Sequence, residues 1–424
     1  MKTKTRSTCR VCDSRSLFSI LSLGKLHVSD FVKKKGKFKP EPLELILCDK
    51  QKGGCGLLQL KHTVSHEKMY RNYWYRSGMN RTMTQELNSI AQRVQSLVNL
   101  NPGDFVIDIG ANDGTLLRGY TIPNLHTIGF EPARNLISFA KQDTTKIIND
   151  FFNAKAWHKG FHGSKAKAIT AIAMFYDLED PNKFVKNVTE CLDDNGIFII
   201  QMSYLPLMLS QNAFDNICHE HLEYYSLDSL NNLLTRHELE VFDVELNSIN
   251  GGSFRIYTKF KNSKNIRVPV EAPMRVESLR QFEIKLGLNR TNSYLKFQKR
   301  VLQIRESVSK FIKEEVQKGK KIHVYGASTK GNTLLQFFNL DHKVITAAAE
   351  RNSDKWGTKT IGTNIPIISE ERARKDAPDY FLVLPWHFLD EFVERERDYL
   401  ARGGKFIVPL PEPKLVDLAG SIDL

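Results

Sequence analysis

The sequence predicts an α/β chain in three parts: a small metal-stabilised N-terminal domain, a doubly wound sheet, and a second, smaller α/β unit. Three observations carry this. Four of the six cysteines fall within the first 55 residues. Strand and helix patterns then alternate up to a closing hairpin near residue 251. A strand, glycine turn and helix recur near residue 322. At 424 residues the chain is too long for one core, so two or three domains are expected.

Composition narrows the function classes. Apolar residues make up 41% and charged residues 26%, as in soluble globular proteins. No apolar run approaches the roughly 20 residues of a membrane span. "MKTKTRSTCRVCDS" lacks the apolar stretch of a secretory signal. A cytoplasmic protein with no membrane partner is the expectation. The net charge of +13 raises nucleic acid as a partner, but residues 1–40 carry 11 basic and 2 acidic side chains and so supply +9 of it, leaving +4 elsewhere. The densest stretch, "KKKGKFK", has one aromatic and no interleaved stacking platform, which favours a solvated loop. No nucleic-acid partner is expected, and a zinc-ribbon nucleic-acid-binding protein stands as the alternative of another class.

The N-terminal part is read from its cysteines. Cys9-x-x-Cys12 places two thiolates on one knuckle, and Cys48 with Cys55, in the turn-rich "CDKQKGGCG", can complete a tetrahedral sulfur shell around zinc. A redox CxxC or unrelated core cysteines are the competing readings. Four sulfurs leave no open coordination position, so this zinc is expected to hold a fold and do no catalysis.

The second part begins at "GDFVIDIGANDGTLLRGY". An apolar strand enters a glycine turn and a helix, and the strand "HTIGFEP" follows, a βαβ unit. Gly110 and Gly114 permit close approach of a ligand, and Glu131, 21 residues after Gly110, is placed to accept hydrogen bonds from ribose hydroxyls. The spacing is not GxGxxG. Asp108 and Asp113 crowd the turn, which suits a cationic cofactor better than a pyrophosphate. The stretch Asp108, Gly110, Asn112, Gly114 with Glu131 resembles motif one of the S-adenosylmethionine-dependent methyltransferases, and that resemblance implies S-adenosylmethionine as cofactor. Downstream, "KAITAIAMFYDLEDPNKFV" reads as buried strand, loop and helix start, "GIFIIQMSY" as a strand, and "EVFDVELNSINGGSFRIYTKF" as a hairpin about Gly251-Gly252.

Residues 263–318 are helical and charged, a connector. "KKIHVYGASTKGNTLLQFF" then repeats strand, glycine turn and helix, and Glu350 ends the next strand. A Walker loop is excluded because Lys330 precedes Gly331 and Asn332 follows it. Ser328, Thr329 and Lys330 at a helix N-terminus form a seat for phosphate oxygens, against a purely structural turn as the alternative.

"CHEHLEYYS", residues 218–226, is the most chemically loaded stretch. Metal binding there is disfavoured, since successive residues converge poorly on one ion. In order, "CRVC", "CGLLQL", "YWYRSG", "VIDIGANDGTLL", "GFEP", "AMFYDLEDP", "HEHLEYYS", "NGGSFRIY", "VYGASTKGN" and "PWHF" resemble the sugar C-methyltransferases that act on nucleotide-linked keto-deoxysugars, over nearly the whole chain. The resemblance implies a zinc-binding domain (1–75), a Rossmann-like seven-stranded methyltransferase domain (76–262), and a connector with a Rossmann-like domain for the nucleotide-linked keto-deoxysugar (263–424). By position it makes His221 the base that removes the proton next to the ketone, assigns Glu220 and His219 to orientation or sugar contact, and makes Tyr75, or else Tyr73, the hydroxyl partner. O- or N-methylation of a small molecule is the second enzymatic reading. Two departures stand out: the second cysteine pair is wider than the family's CxxC, and Cys218 occupies a place where relatives often carry tyrosine.

Overall fold

The computed structural model describes residues 3–33, 39–65, 69–71 and 73–424; residues 34–38 of the basic stretch lie outside the described residues. Strands Leu17–Leu26, Glu41–Cys48 and Leu58–Leu60 form an antiparallel sheet whose fourth strand, Glu223–Tyr224, comes from the middle of the chain, between two strands of the central sheet. The CHEHLEYYS stretch is therefore sewn into the zinc domain.

The central sheet has seven strands in the order Leu239–Asn247, Ser253–Phe260, Leu192–Ser203, Ala166–Ile172, Phe105–Ile109, His126–Phe130, Lys146–Ile148. The last five run parallel, and the hairpin about Gly251 and Gly252, both at positive φ, adds the antiparallel edge. Ahead of it, helix Arg81–Leu97 starts at Asn80, whose side chain accepts from the Met83 N–H, and buries Leu87, Ile90, Val94 and Leu97 at helical spacing. One expectation fails here. No α-helix follows the Gly110 turn; only a single 3-10 turn, Leu117–Gly119, lies between Asp113 and the strand at His126. The connection is short, and Gly119 and Pro123 interrupt it, so propagation never repays helix nucleation.

The C-terminal unit is a second seven-stranded sheet: Ile367–Ser369, Ala347–Glu350, Ile322–Tyr325, Tyr380–Val383 and Lys405–Val408 run parallel, followed by the antiparallel strands Lys414–Asp417 and Gly420–Asp423. The connector consists of helices Ala272–Leu286 and Thr291–Gln317. The longer one buries Tyr294, Phe297, Val301, Ile304, Val308 and Ile312 in a stripe, within a core that also holds Leu45 and Leu58 of the zinc domain, Phe214 and Leu222 beside the CHEH stretch, and Val324 of the C-terminal sheet. At about 1.5–3 kcal/mol per large apolar side chain, this helix is a strut that fixes the three parts around one cleft. Among the described residues no helix is long and apolar enough to cross a membrane.

Candidate active site

The four N-terminal cysteines converge. Cys9 Sγ lies 3.5 Å from Cys55 Sγ and Cys12 Sγ 3.4 Å from Cys48 Sγ, and all four sulfurs lie within 4.8 Å of one another. Tetrahedral zinc with Zn–S near 2.3 Å needs sulfurs about 3.8 Å apart, so the set fits. The wide second pair closes because Asp49 caps a 3-10 turn over Lys50–Lys52, Gly53 takes a left-handed conformation (φ 77°), and Gly54 packs where a Cβ would stand 2.6 Å from Cys48 Sγ. Backbone N–H groups of Val11 and Cys55 donate to the sulfurs of Cys9 and Cys48. Hydrogen bonds from Cys48 and Cys55 hold Cys9 down to about 2, while those of Cys48 and Cys9 push Cys55 up. Four thiolates so close together need a cation between them.

The two α/β units and the zinc domain enclose adjoining cavities of about 660 and 1070 Å³. Asp108, Gly110, Asn112 and Glu131 line the smaller one. Gly110 sits at φ 73° and donates to the Phe130 carbonyl. Glu131 is held by two backbone donors, Asn112 N–H to Oε2 and Ala133 N–H to Oε1, both 2.7 Å, which leaves each oxygen a lone pair for a vicinal diol. Burial pushes both Asp108 and Glu131 up to about 7, and a cation beside them would favour their ionised forms. This donor and charge pattern fits the ribose and sulfonium of S-adenosylmethionine. Gly114 and Asp113 serve the scaffold. A Cβ on Gly114 would stand 2.8 Å from the Ala140 carbonyl, and Asp113 accepts from Thr115 and from the Gly78 N–H. The Asn112 side chain bridges the Ser77 N–H and the Tyr75 carbonyl, clamping the YRSG segment over the turn.

His221 and Glu220 line the same cavity. His221 Nδ1 lies 2.8 Å from the Asn216 carbonyl, which can only accept, so Nδ1 carries the proton and Nε2 presents a lone pair. Burial, reinforced by the charge of Lys330, lowers His221 to about 3, and the ring is neutral at any working pH. Tyr176 packs on it at 4.3 Å, and the Tyr176 carbonyl accepts from the Leu222 N–H. Burial raises Glu220 to about 7. The four successive residues do not all converge, but three of them come closer than expected: a turn closed by His221 N–H to the Cys218 carbonyl brings the polar side-chain atoms of Cys218, Glu220 and His221 within 4.8 Å of one another. His219 turns away; its Nε2 lies 3.1 Å from the Glu41 carbonyl and it lines neither cavity. Tyr73 lies by Glu220, Asp177 and Cys218, whereas Tyr75, 44% exposed, lies on the Asp113 side; burial pushes Tyr73 up and Tyr75 to about 12. Of these two, Tyr73 is the one beside the loop, which Tyr70 also reaches by donating to the Glu220 carbonyl at 3.3 Å. Sequence reasoning passed over Asp177, which lines this cavity and was read there only as part of a loop.

Ser328, Thr329 and Lys330 line the smaller cavity from the opposite wall. Ser328 Oγ is taken as the helix N-cap, accepting from the Gly331 N–H. Lys330 Nζ donates to Asn216 Oδ1 at 2.7 Å, which places its charge at the His221 loop. The zinc knuckle reaches the same loop: Arg10 Nε lies 3.7 Å from Glu223 Oε1, both shielded from solvent.

Family models match in series: a zinc binding domain over residues 9–70, a methyltransferase domain over 75–244, and a C-methyltransferase C-terminal domain over 248–411. The chain is 28% identical over 420 residues to the C-methyltransferase NovU of Streptomyces niveus, with 98% of each chain covered. Solved structures similar to it include the magnesium protoporphyrin IX methyltransferase ChlM of Synechocystis PCC 6803 with bound SAM (TM-score 0.35, 11% identity, 47% of this chain and 99% of that one). Another is an S-adenosylmethionine-dependent methyltransferase of Clostridium acetobutylicum (TM-score 0.31, 14% identity, 42% and 91%). Likenesses of that score bear on nothing further.

Proposed function

We propose a substrate on the premise that this chain is an S-adenosylmethionine-dependent C-methyltransferase with a zinc-binding domain: a nucleotide-diphospho-keto-deoxysugar, methylated at the carbon next to its ketone through an enolate. The observation that carries the nucleotide is a repeat within the fold. Gly326 N–H donates to the Ala349 carbonyl as Gly110 N–H does to that of Phe130. Glu350 ends its strand as Glu131 does, accepting from Ala327 N–H on Oε2 and from Asn352 N–H, two residues on, on Oε1. The charge is reversed. Lys355 Nζ sits 3.2 Å from Glu350 Oε2 and donates to the Ala327 carbonyl, and every Lys and Arg lining the smaller cavity among the described residues (Lys330, Arg351, Lys355 and Arg395) belongs to the C-terminal unit. Glu350, Glu370 and Glu391 of the same unit line this wall too and pair with Lys355, Arg395 and Arg351, so the cations exceed the carboxylates by one, Lys330; a glycine turn in that setting suits a nucleoside diphosphate, as the acidic turn opposite suits a sulfonium.

When bound, S-adenosylmethionine supplies an electrophilic methyl group. The chain's own part is to place a ketone between the two turns, exclude water, and remove a proton. Nε2 of His221, held toward the cavity by the Nδ1 hydrogen bond, is the base; Glu220 and Tyr73 orient the sugar, and Tyr75 covers the cofactor side. Holding two bound reactants in one cleft makes the transfer effectively unimolecular.

Labelled S-adenosylmethionine incubated with a panel of nucleotide keto-sugars, with the new methyl located by NMR, tests the reading; methyl found only on oxygen or nitrogen overturns it. Lys355→Met is expected to weaken nucleoside diphosphate binding by about 1.5–3 kcal/mol, the range for a charge-assisted hydrogen bond, while S-adenosylmethionine affinity stays unchanged in calorimetry. Loss of cofactor affinity instead would mean that the two turns are not divided in this way.

Cofactor binding should depend on pH. Asp108 and Glu131 are raised to about 7 by burial, and their ionised forms are the ones that attract a sulfonium and accept from a diol. Affinity therefore rises as pH climbs through about 7, with proton release on binding, and levels off above it. Glu131→Ala should cost about 1.5–3 kcal/mol and flatten the profile. Calorimetry across pH 6 to 8, in buffers of differing ionisation heat, reads both effects.

A further inference from the structure

We propose that Asn216 is the positioning residue that ties the base to the bound nucleotide: its side-chain oxygen holds Lys330, whose remaining donors take the diphosphate, and its backbone carbonyl holds His221; this rests on the keto-sugar reading above. The geometry is a chain of hydrogen bonds through one residue. Lys330 Nζ donates to Asn216 Oδ1 at 2.7 Å, and His221 Nδ1 donates to the Asn216 carbonyl at 2.8 Å. The amide cannot be reversed, because an ammonium only donates and because Asn216 Nδ2 donates to the Ala213 carbonyl at 3.0 Å. Asn216 is buried and lines neither large cavity, whereas Lys330 and His221 both line the smaller one. It therefore acts through its neighbours and touches no reactant.

The segment around Asn216 lies within the methyltransferase unit in sequence, yet its side chains are bonded to the C-terminal unit. The 3-10 turn Phe214–Asn216 falls between strands Leu192–Ser203 and Glu223–Tyr224. Phe214 packs edge-on against Phe337 and Phe338, at the end of the helix Thr329–Phe337 that carries Lys330 in its first turn. Asp215 Oδ2 accepts from Trp386 Nε1 at 3.2 Å, and Asn212 Nδ2 donates to the Pro411 carbonyl at 3.0 Å. One helix thus grips the turn at both of its ends. A ligand that settles the helix N-terminus also settles the carbonyl on which His221 rests.

The chemistry gives the tie a purpose. An ammonium has three donors; Asn216 takes one, and the others are open to phosphate oxygens in the cavity that Lys330 lines. The charge of Lys330 is felt by Asp215, Cys218, His221 and His387. Burial, then that charge, lowers His221 to about 3, so before a nucleotide binds the base is held weak. A diphosphate on Lys330 opposes the second cause and leaves the first, so the imidazole gains basicity when the sugar it serves is in place. Through the same contact the Asn216 carbonyl keeps Nδ1 protonated and Nε2 turned to the cavity.

The test uses the full-length zinc-loaded protein with isotope-labelled histidine for NMR, and inorganic pyrophosphate as the probe of the lysine. In wild type the ring signals of His221, assigned by their loss in His221→Asn, should move as pyrophosphate saturates in calorimetry. In Asn216→Leu pyrophosphate should bind within a few-fold of wild type while the His221 response shrinks. Kinetics then separate positioning from packing. Asn216→Leu should lower kcat by up to about 100-fold, the scale of a misplaced catalytic group, with KM for the nucleotide-sugar little changed. Asn216→Asp, which keeps an acceptor for Lys330 but sets a carboxylate against the diphosphate, should raise KM about 10-fold and retain more of kcat than Asn216→Leu. S-adenosylmethionine affinity checks the folding of both. A His221 signal indifferent to bound pyrophosphate, or a leucine variant that alters KM alone, overturns the tie; pyrophosphate that does not bind overturns the nucleotide seat and the tie with it. Methyl found on oxygen or nitrogen overturns the keto-sugar reading, and the pyrophosphate response, which involves no sugar, still decides the tie.

Discussion

His221→Asn is expected to bind S-adenosylmethionine and the nucleotide-sugar with near wild-type affinity and to transfer methyl about 100 to 10,000 times more slowly, the usual cost of losing a general base. The asymmetry follows from geometry. Asn is close in size to the imidazole near the Asn216 carbonyl and can keep that hydrogen bond, but it offers no basic nitrogen at the position of Nε2. The defect is confined to the transition state, so kcat and kcat/KM fall together while KM is little changed. Because burial and the charge of Lys330 lower His221 to about 3, it stays neutral through the working range, and a loss of wild-type activity on going from pH 8 to 6 is expected from the carboxyls that burial raises, Asp108, Glu131 and Glu220 to about 7 among them. Deuterium exchange that persists in His221→Asn would move the base to Glu220 or Tyr73. His219 is no substitute, since its ring is tied to the Glu41 carbonyl.

What the sequence discloses and what it withholds divide along physical lines. Features set by local chemistry are legible: the alternation of strand and helix, the glycine turn at Gly110, the carboxylate 21 residues on, and the cysteine set whose second pair is closed by a turn-rich stretch. Features set by how distant segments meet are not. Tyr73 and Tyr75 are two residues apart, and only the clamp of Asn112 on the Tyr75 carbonyl and of Asn135 on the backbone of Tyr73 decides which faces the loop. Asp177 sits in a stretch that reads simply as a loop, and only the fold brings it into the wall of the cavity that His221 lines. The helix expected after the first glycine turn fails for a subtler reason, since apolar "TLL" promises more turns than the following Gly119 and Pro123 permit. The kinship of Glu350 with Glu131 was half legible: both end a strand after a glycine turn, but the matching pairs of backbone donors appear only in three dimensions.

Removal of zinc should disable methyl transfer although the metal touches no reactant. The purified protein is expected to hold one zinc per chain, and Cys12→Ser to lose it. Zinc bound by four thiolates contributes folding free energy directly, on the order of 10–16 kcal/mol in isolated zinc-finger peptides at neutral pH, and here that energy is transmitted to the reaction centre by a short path. Strand Leu58–Leu60 begins three residues after Cys55 and pairs with Glu223–Tyr224, which begins two residues after His221. The Leu60 N–H donates to the Leu222 carbonyl, and Asn182 of helix Pro181–Cys191 donates to the carbonyls of Arg10 and Val11 within the first knuckle. Opening the sulfur cluster therefore releases the strand that holds His221 in register, while the Gly110 turn, on the far side of that loop, keeps its own hydrogen bonds. Chelation should lower the thermal midpoint and abolish transfer while S-adenosylmethionine binding survives in part, and added zinc should restore activity. A metal-free protein with full activity and an unchanged midpoint, or Cys12→Ser with undiminished zinc, would remove the four-thiolate site and the structural coupling argued from it.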